Sequence, residues 1–555
     1  MDTNVLYYGD NLDILRRYIP SESVDLVYLD PPFNSNRAYN VIFKDESGQR
    51  SDAQLIAFED TWHWGPSAEA IYAYLTNSTR NEGRVPESVS QIVAAFRAGI
   101  GTNQMTAYIV EMAARLVELH RTLKPTGSLY LHCDPTASHY LKALLDVIFG
   151  PDRFRNEVIW KRSDSHNDAT QGAKRYGRIH DTLLFYTKGE SYTFNTQRLA
   201  LSQKTADNWY KHVDDDGRRY NLDNVTAAKP GGDTLYEFHG VYPPKGRYWA
   251  YSKANMERMN EEGKLVFTAT GKVYMKRYLD ESKGTPLQDL WLDVDMLRGF
   301  STSKERLGYP TQKPLALLER IISVSSNPGD LVLDPFCGCG TALVGAQKLE
   351  RRWVGIDITY LAIAVMRARL KDSFGLQGVP VIGQPTEVDG AREFAKTAEG
   401  RYQFQWWALG LVDARPVGGV EKKGADRGID GVISFTDKHG ELYRVLVSVK
   451  SGQVNSAMVR DLKGTVEREK AAIGLFVTLD EPSKEMRLEA DTASFFHSDV
   501  WKRDYPKIQI LTIGQLLGGI KPQLPPFVMP TYPQAERVEA SAGDQQDFLR
   551  GGKAS

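Results

Sequence analysis

The sequence predicts an α/β protein: a parallel, doubly wound sheet, interrupted by an irregular insertion and followed by a second, smaller α/β block. Three observations carry this expectation. Strand, helix and strand patterns succeed one another with short turns near the N-terminus and again from residue 314 onwards. The apolar run 331–333 opens into Asp334-Pro335-Phe336-Cys337-Gly338-Cys339-Gly340-Thr341, a glycine-rich turn of the kind that joins a buried strand to a helix. Between these stretches, residues 151–300 lose the α/β rhythm and carry aromatic and polar residues with breakers such as Lys229-Pro230-Gly231-Gly232.

Taken in chain order, the first block opens on the apolar run Val5-Leu6-Tyr7-Tyr8 and continues through a short helical stretch, Asn11–Tyr18. A second apolar strand, Val24–Leu29, then delivers Asp30-Pro31-Pro32-Phe33. Apolar residues at helical spacing predict a long helix over 105–123, stopped by Lys124-Pro125-Thr126-Gly127 and followed by a strand over 128–132. After the insertion, a helix is expected over 315–324, a strand over 331–333, a helix from near Thr341 and a strand over 353–356. A Gly/Pro-containing stretch reads as a linker, and beyond it a helix is expected over 404–411 and a strand over 445–450. The division is therefore 1–185 and 301–372 for the two parts of the sheet domain, 186–300 for the insertion, 373–395 for the linker and 396–520 for the second domain. Residues 521–555 form a tail expected to be disordered at its end.

Composition sets bounds. A chain of 555 residues is too long for one core, and 41% apolar with 25% charged residues is the balance of a globular chain. No run approaches the roughly 18 apolar residues of a spanning helix, and Met1-Asp2-Thr3-Asn4 has none of the features of a signal peptide. No membrane partner is expected. Three cysteines cannot staple a chain of this size, which points to a reducing, cytoplasmic location. Cys337 and Cys339 have no second pair with which to complete a zinc site. A net charge of -1 argues neither for nor against nucleic acid, since lysines and arginines can line one cleft of a neutral protein.

Two clusters carry chemistry. In the glycine-rich turn, Gly338 and Gly340 lack side chains, so backbone N–H groups can close on a ligand ahead of the helix at Thr341. About seventeen residues further on, Gly355-Ile356-Asp357 ends the next strand, where doubly wound folds place an acid that holds a ribose. In the other cluster, Asp30 and the Pro31 carbonyl are acceptors at a turn stiffened by two prolines. An exocyclic base amine has a lone pair delocalised into its ring, and acceptors on its two hydrogens localise that pair for attack. Phe33 offers a ring on which a flipped base can stack.

Together, Asp30-Pro31-Pro32-Phe33 and the cluster containing Asp334, Phe336, Gly338 and Gly340 resemble the amino-methyltransferases of DNA. The target-amine motif comes first and the cofactor loop about three hundred residues later, an order that resembles the β group and its restriction-modification members. Gly9-Asp10-Asn11-Leu12 resembles the segment whose Asp contacts the cofactor adenine, and Pro310-Thr311-Gln312-Lys313-Pro314 the one that closes over the methionine end. Asn156-Glu157-Val158-Ile159-Trp160-Lys161-Arg162 and His180-Asp181-Thr182-Leu183-Leu184 resemble later catalytic elements. The resemblance covers about 4–372 outside the insertion. It implies a Rossmann-like, S-adenosylmethionine-dependent methyltransferase with an inserted target-recognition region, acting on adenine N6 in double-stranded DNA by base flipping, in a restriction-modification or phage-defence setting. Asp rather than Ser before Pro-Pro leans towards adenine, with cytosine N4 as the alternative. In the insertion, Arg218-Arg219-Tyr220 and Lys245-Gly246-Arg247-Tyr248-Trp249 are candidates for phosphate contact and base stacking. A homodimer or restriction-modification partner subunits remain open.

Near the C-terminal end, Asp430 and Lys450 on hairpin-like strands resemble the Mrr-like branch of PD-(D/E)XK nucleases. The resemblance implies a restriction-endonuclease-like α/β fold in which the Asp binds Mg²⁺ and the Lys steadies the attacking water or the phosphate. This copy departs from the pattern. Ser448 stands where an acid or amide is usual, and Gln405 replaces a helical Glu, so metal-ligand capacity is removed twice. Mg²⁺ is expected only if the domain is an active nuclease. The whole-chain alternatives are a restriction endonuclease or bifunctional enzyme, or a DNA-holding domain whose Asp430 and Lys450 are structural or bind phosphate. The long insertion and the nuclease-like block disfavour an RNA or small-molecule methyltransferase.

Overall fold

The computed structural model describes the chain apart from residues 33–37, 45–49, 60–61, 165–173, 175, 230, 298–304, 310, 418–427, 438–439, 533 and 539–555, and gives the backbone alone over 38–59 and 398–399. Among the described residues, nine strands build one sheet. They are β1 (Val5–Tyr8), β2 (Val24–Leu29), β3 (Leu123–Cys133), β4 (Phe154–Lys161), β5 (His180–Thr187), β6 (Leu290–Trp291), β7 (Leu331–Asp334), β8 (Arg352–Asp357) and β9 (Val381–Ile382). Their spatial order is β6-β4-β5-β3-β2-β7-β8-β1-β9. Every pairing from β3 to β9 is parallel, and β5 runs against both of its neighbours. β1 and β7 are buried at every position, as strands covered on both faces are.

The strand order positions the site. β2 pairs with β7 through Leu26↔Val332 and Val27↔Leu333, β7 with β8 through Asp334↔Gly355, and β8 with β1 through Asp357↔Tyr8. The turns after four parallel strands therefore lie side by side. These turns carry Asp30, Asp334, Asp357 and Asp10, at the carboxyl edge where open α/β sheets bind ligands.

Helices α1 (Asn11–Tyr18), α2 (Gln104–Thr122), α3 (Leu315–Ser325) and α4 (Thr341–Lys348) fall within a residue or two of their expected places, and α5 (Tyr360–Phe374) is a helix the sequence reading did not name. α2 starts where the Asn103 side chain accepts from the Thr106 N–H at 3.0 Å. It is buried along most of its length and carries Glu111, Arg115 and Glu118 inside, charges that require partners. Residues 373–395, expected as a linker, are built into the fold instead. β9 extends the sheet beside β1, and after the helix Val388–Phe394 the Phe394 ring meets Tyr8 edge-on at 5.7 Å. The glycines and prolines there shape turns, as Gly383 does with φ +97°, rather than a free tether.

Residues 196–288 form a separate compact unit. A four-stranded antiparallel sheet runs in the order Leu265–Phe267, Val273–Tyr278, Arg219–Asn224, His212–Val213, and Val225, Phe238, Trp249, Met256 and Met259 fill a core. The insertion is thus a small domain with its own apolar interior. Trp249, a stacking candidate in the sequence, belongs to that core. Arg218 bonds to Asp280 and Glu281, and Arg219 to Asp207, within the unit.

The C-terminal sheet joins β10 (Arg415–Pro416), β11 (Gly431–Thr436), β12 (Leu442–Lys450), β13 (Ile473–Thr478) and β14 (Ile508–Thr512) in sequential order. β11 and β12 are antiparallel, while β12, β13 and β14 are parallel. Leu446, Val459, Leu462, Val466, Phe476 and Ile508 form its core. The expected helix over 404–411 begins earlier and becomes α6 (Ala398–Leu411), capped by the Thr397 hydroxyl. α6 packs on α5, where Gln403 Oε1 accepts from the Tyr360 N–H at 3.1 Å. Of the expected tail, Glu536 and Val538 bond back to Ser373, and residues 539–555 lie outside the described residues. No helix among the described residues is long and apolar enough to cross a membrane.

Candidate active site

A cavity of about 370 Å³ opens at the carboxyl edge of β1, β2, β7 and β8. Its wall includes Asp10, Asp30, Pro31, Pro32, Lys313, Asp334, Phe336, Gly338, Thr341 and Asp357. The two clusters, about three hundred residues apart in sequence, thus share one chamber. Phe33 lies outside the described residues. Pro314 caps α3, and Gly340 stands behind the wall as the residue before α4.

Each carboxylate is held by a local device. Asp357, at the end of β8, accepts from the Gly338 N–H at 2.9 Å and from the Thr359 N–H and hydroxyl, both at 2.9 Å. The acid after one strand thereby fixes the glycine loop after its neighbour. Burial pushes Asp357 up to about 6, against those three bonds, which pull it down. Asp334 accepts from the Phe336 N–H at 3.0 Å, and burial together with the charges of Asp30 and Asp357 raises it well above the carboxylate range. Asp10 caps α1 through the Leu12 N–H at 2.7 Å and takes Arg115 Nη2 at 2.9 Å. Asp30 pairs with Lys313, so the lysine placed in the cofactor segment by resemblance reaches the target-amine turn.

The glycines divide their roles. A Cβ on Gly338 would stand 3.3 Å from the Tyr309 ring, at the cavity wall. A Cβ on Gly340, whose φ is +74°, would meet Met366 Cγ at 2.8 Å. Backbone shape and packing under α5 both require glycine at 340.

Sequence reasoning missed several wall residues. Arg115 bonds to Asp10, to Asn11 Oδ1 at 2.6 Å and to Glu111 at 2.7 Å, and Asn11 in turn donates to the Pro335 carbonyl at 2.8 Å. This network ties the start of α1, α2 and the glycine-rich loop together. Its signal was legible: Glu111, Arg115 and Glu118 recur at helical spacing among apolar residues. Tyr28 was also missed, although a residue two before Asp30 on a strand faces the same side.

In the wall, Asp10, Asp30, Glu111, Asp334 and Asp357 outnumber Arg115 and Lys313 among the described residues. Burial raises both Asp334 and Asp357, and a cation beside them would favour their ionised forms.

The C-terminal candidates come together differently. Asp430 precedes β11 and Lys450 ends the adjacent β12, with Nζ 3.8 Å from the Asp430 carboxylate. That carboxylate also accepts from Gln405 at 2.5 Å, the Val449 N–H at 2.6 Å and the Ser448 hydroxyl at 3.3 Å. A magnesium ion needs several oxygen ligands, and here donors crowd a lone acid. No group of three or more His, Cys, Asp or Glu among the described residues is arranged to hold a metal. The described residues do not fit a magnesium centre.

Comparison with known proteins agrees with this division. Residues 24–365 match the N6/N4 methyltransferase family described as DNA methylase. Residues 416–518 match a family described as NACHT-associated inactive Restriction Endonuclease 1. Type II methyltransferase M.EcaI of Enterobacter cloacae is 32% identical over 47% of this chain and 57% of its own length. The StyLTI Mod subunit, a type III restriction-modification enzyme of Salmonella typhimurium, is 26% identical over 62% of this chain and 50% of its own. DNA adenine methyltransferase YhdJ of Escherichia coli is 23% identical over 66% and 83%. The chain thus spans little more than half the length of the first two.

Proposed function

The chain belongs to the DNA methylase family, and from that premise we propose that it transfers a methyl group from S-adenosylmethionine to adenine N6 in duplex DNA, with the base flipped into the cavity beside Asp30. The observation that carries the proposal is the sharing of one acid-rich chamber by the Asp30-Pro31-Pro32 turn and the loop from Asp334 to Gly338. The cofactor supplies an activated methyl group on a positively charged sulfur, and an acidic wall suits that charge. Asp357 and the Gly338 backbone form the cofactor end, with Asp10 and Arg115 beside them. Asp30 and the Pro31 carbonyl accept the two amine hydrogens and aim the lone pair, so the protein's task is chiefly positioning. The adenine assignment is supported by Asp before Pro-Pro and by the relative described as a DNA adenine methyltransferase. The Mod-subunit relative supports a restriction-modification setting with partner subunits.

Tritiated S-adenosylmethionine, offered with unmethylated duplex DNA, RNA or no nucleic acid, tests the reading. The expected result is label in DNA alone, recovered as N6-methyladenine and unaffected by EDTA. Recovery as N4-methylcytosine would overturn the base assignment, and label in RNA alone the substrate class.

A further inference from the structure

Behind the target-amine turn lies a buried polar chain that the proposed chemistry has not yet used. The Tyr28 hydroxyl, in the cavity wall, is 2.9 Å from His132 Nδ1. His132 Nε2 is 3.3 Å from Asp181 Oδ2, and the Arg162 guanidinium lies 3.2 Å from the other Asp181 oxygen. Three strands supply the chain. Tyr28 is on β2, His132 on β3 and Asp181 on β5, and both pairings are fixed by register, Tyr28↔Tyr130 in one and Cys133↔Thr182 in the other. His132 has no exposed surface, and Tyr28 and Asp181 keep almost none. Trp160 closes on the imidazole edge-on at 5.7 Å.

The chain has a direction. Burial pushes Asp181 up, but its bond to His132 and the nearby cations outweigh that and hold it ionised, so it can only accept. In the neutral imidazole Nε2 then carries the hydrogen toward Asp181 and Nδ1 accepts. Tyr28, a residue of the cavity wall, then donates to His132, and its oxygen keeps lone pairs with which to accept. Tyr28 lies on β2 and Asp30 just beyond its end, and both line the cavity.

Resting on the methyl-transfer reading above, we propose that Tyr28 is a further catalytic residue at the target amine, and that His132 and Asp181 are positioning residues that make its oxygen an acceptor and take up the proton it receives. When the amine nitrogen gains the methyl group and the carbon–sulfur bond breaks, the nitrogen carries one proton too many. That proton passes to the Tyr28 oxygen as the tyrosine's own proton passes to His132 Nδ1, leaving a neutral methylated amine and an imidazolium beside Asp181. After product release the imidazolium returns its proton to water. Asp30 is already paired with Lys313, so a second acceptor spares it from taking the proton itself.

The test is single-turnover methylation by the full chain, with calorimetry for cofactor affinity. Tyr28→Phe should cut the rate about 100-fold, within the usual range of general base catalysis, while KM for DNA and cofactor affinity hold. Asp181→Asn, which frees the imidazole to take either tautomer, should cut it at least tenfold alone and add nothing in the Tyr28→Phe background. A wild-type rate in Tyr28→Phe, or multiplying losses in the double variant, would overturn the inference. Absence of methylation by the wild type would overturn the underlying reading, and this inference with it.

Discussion

The chain carries two α/β sheets with an aspartate at a strand end, and they offer opposite surroundings to that acid. At the edge of the large sheet, Asp30, Asp334 and Asp357 converge on an open chamber, and acids prevail in its wall. On the small sheet, Asp430 is enclosed by Gln405, Ser448, the Val449 N–H and Lys450, donors from a helix and a neighbouring strand. The difference lies in the neighbours: several acids share the chamber wall with fewer cations, whereas Asp430 is met by donors from three sides.

The comparison breaks first at Asp30. Replacing it by Ala should lower methyl transfer at least about 1000-fold, since it removes an acceptor aimed at the reacting group. Cofactor affinity by calorimetry should stay within a few-fold of wild type. Comparable turnover in the variant would take the large-sheet chamber out of the chemistry.

Gly340→Val should act next most strongly, and on folding before binding. A β-branched residue at φ +74° costs roughly 1–2 kcal/mol in backbone strain, and its Cβ would collide with Met366 besides. A lowered Tm in the absence of cofactor is the expected outcome. An unchanged Tm with lost binding would return Gly340 to the ligand wall.

At Asp357 the expected loss is milder, roughly 1–3 kcal/mol of cofactor affinity in Asp357→Ala, the worth of a charged hydrogen bond. The pH dependence sharpens this. Folding raises this carboxyl from its ordinary value to about 6, so stability it contributes at low pH is lost as pH rises through about 6. A cationic ligand favours the ionised form, so cofactor affinity should move the other way and increase through the same window. A flat affinity profile from pH 5 to 7 would remove Asp357 from the cation's surroundings.

The smallest effect belongs to the small sheet. Supercoiled plasmid should stay uncut by wild type in Mg²⁺ or Mn²⁺, and Asp430→Ala should leave the rate of methylation unchanged. Metal-dependent nicking that disappears in Asp430→Ala would break the comparison, and the carboxylate would have to be read as a ligand. Ser448→Glu tests how near the site lies to that state, by whether isothermal titration with Mn²⁺ then shows binding.

What the sequence by itself determined is local. The Asp30-Pro31-Pro32 turn, the Gly338 and Gly340 loop, the caps of the helices and the acid ending β8 are set by backbone preferences and by bonds spanning a few residues, so they were legible without coordinates. The insertion was seen as a break in rhythm, but its core around Phe238 and Trp249 was not, because short strands with little alternation leave no period to read. Only the tertiary structure decided which turns meet. The order β2-β7-β8-β1 brings Asp30 to Asp334 and Asp10 to Asp357, and it follows from covering apolar strands on both faces at once. Partners were decided there too: Arg115 for Asp10, Lys313 for Asp30, His132 for Tyr28. A buried charge or hydroxyl must find a counterpart, and nothing in its own neighbourhood of the chain says which distant residue packing will deliver.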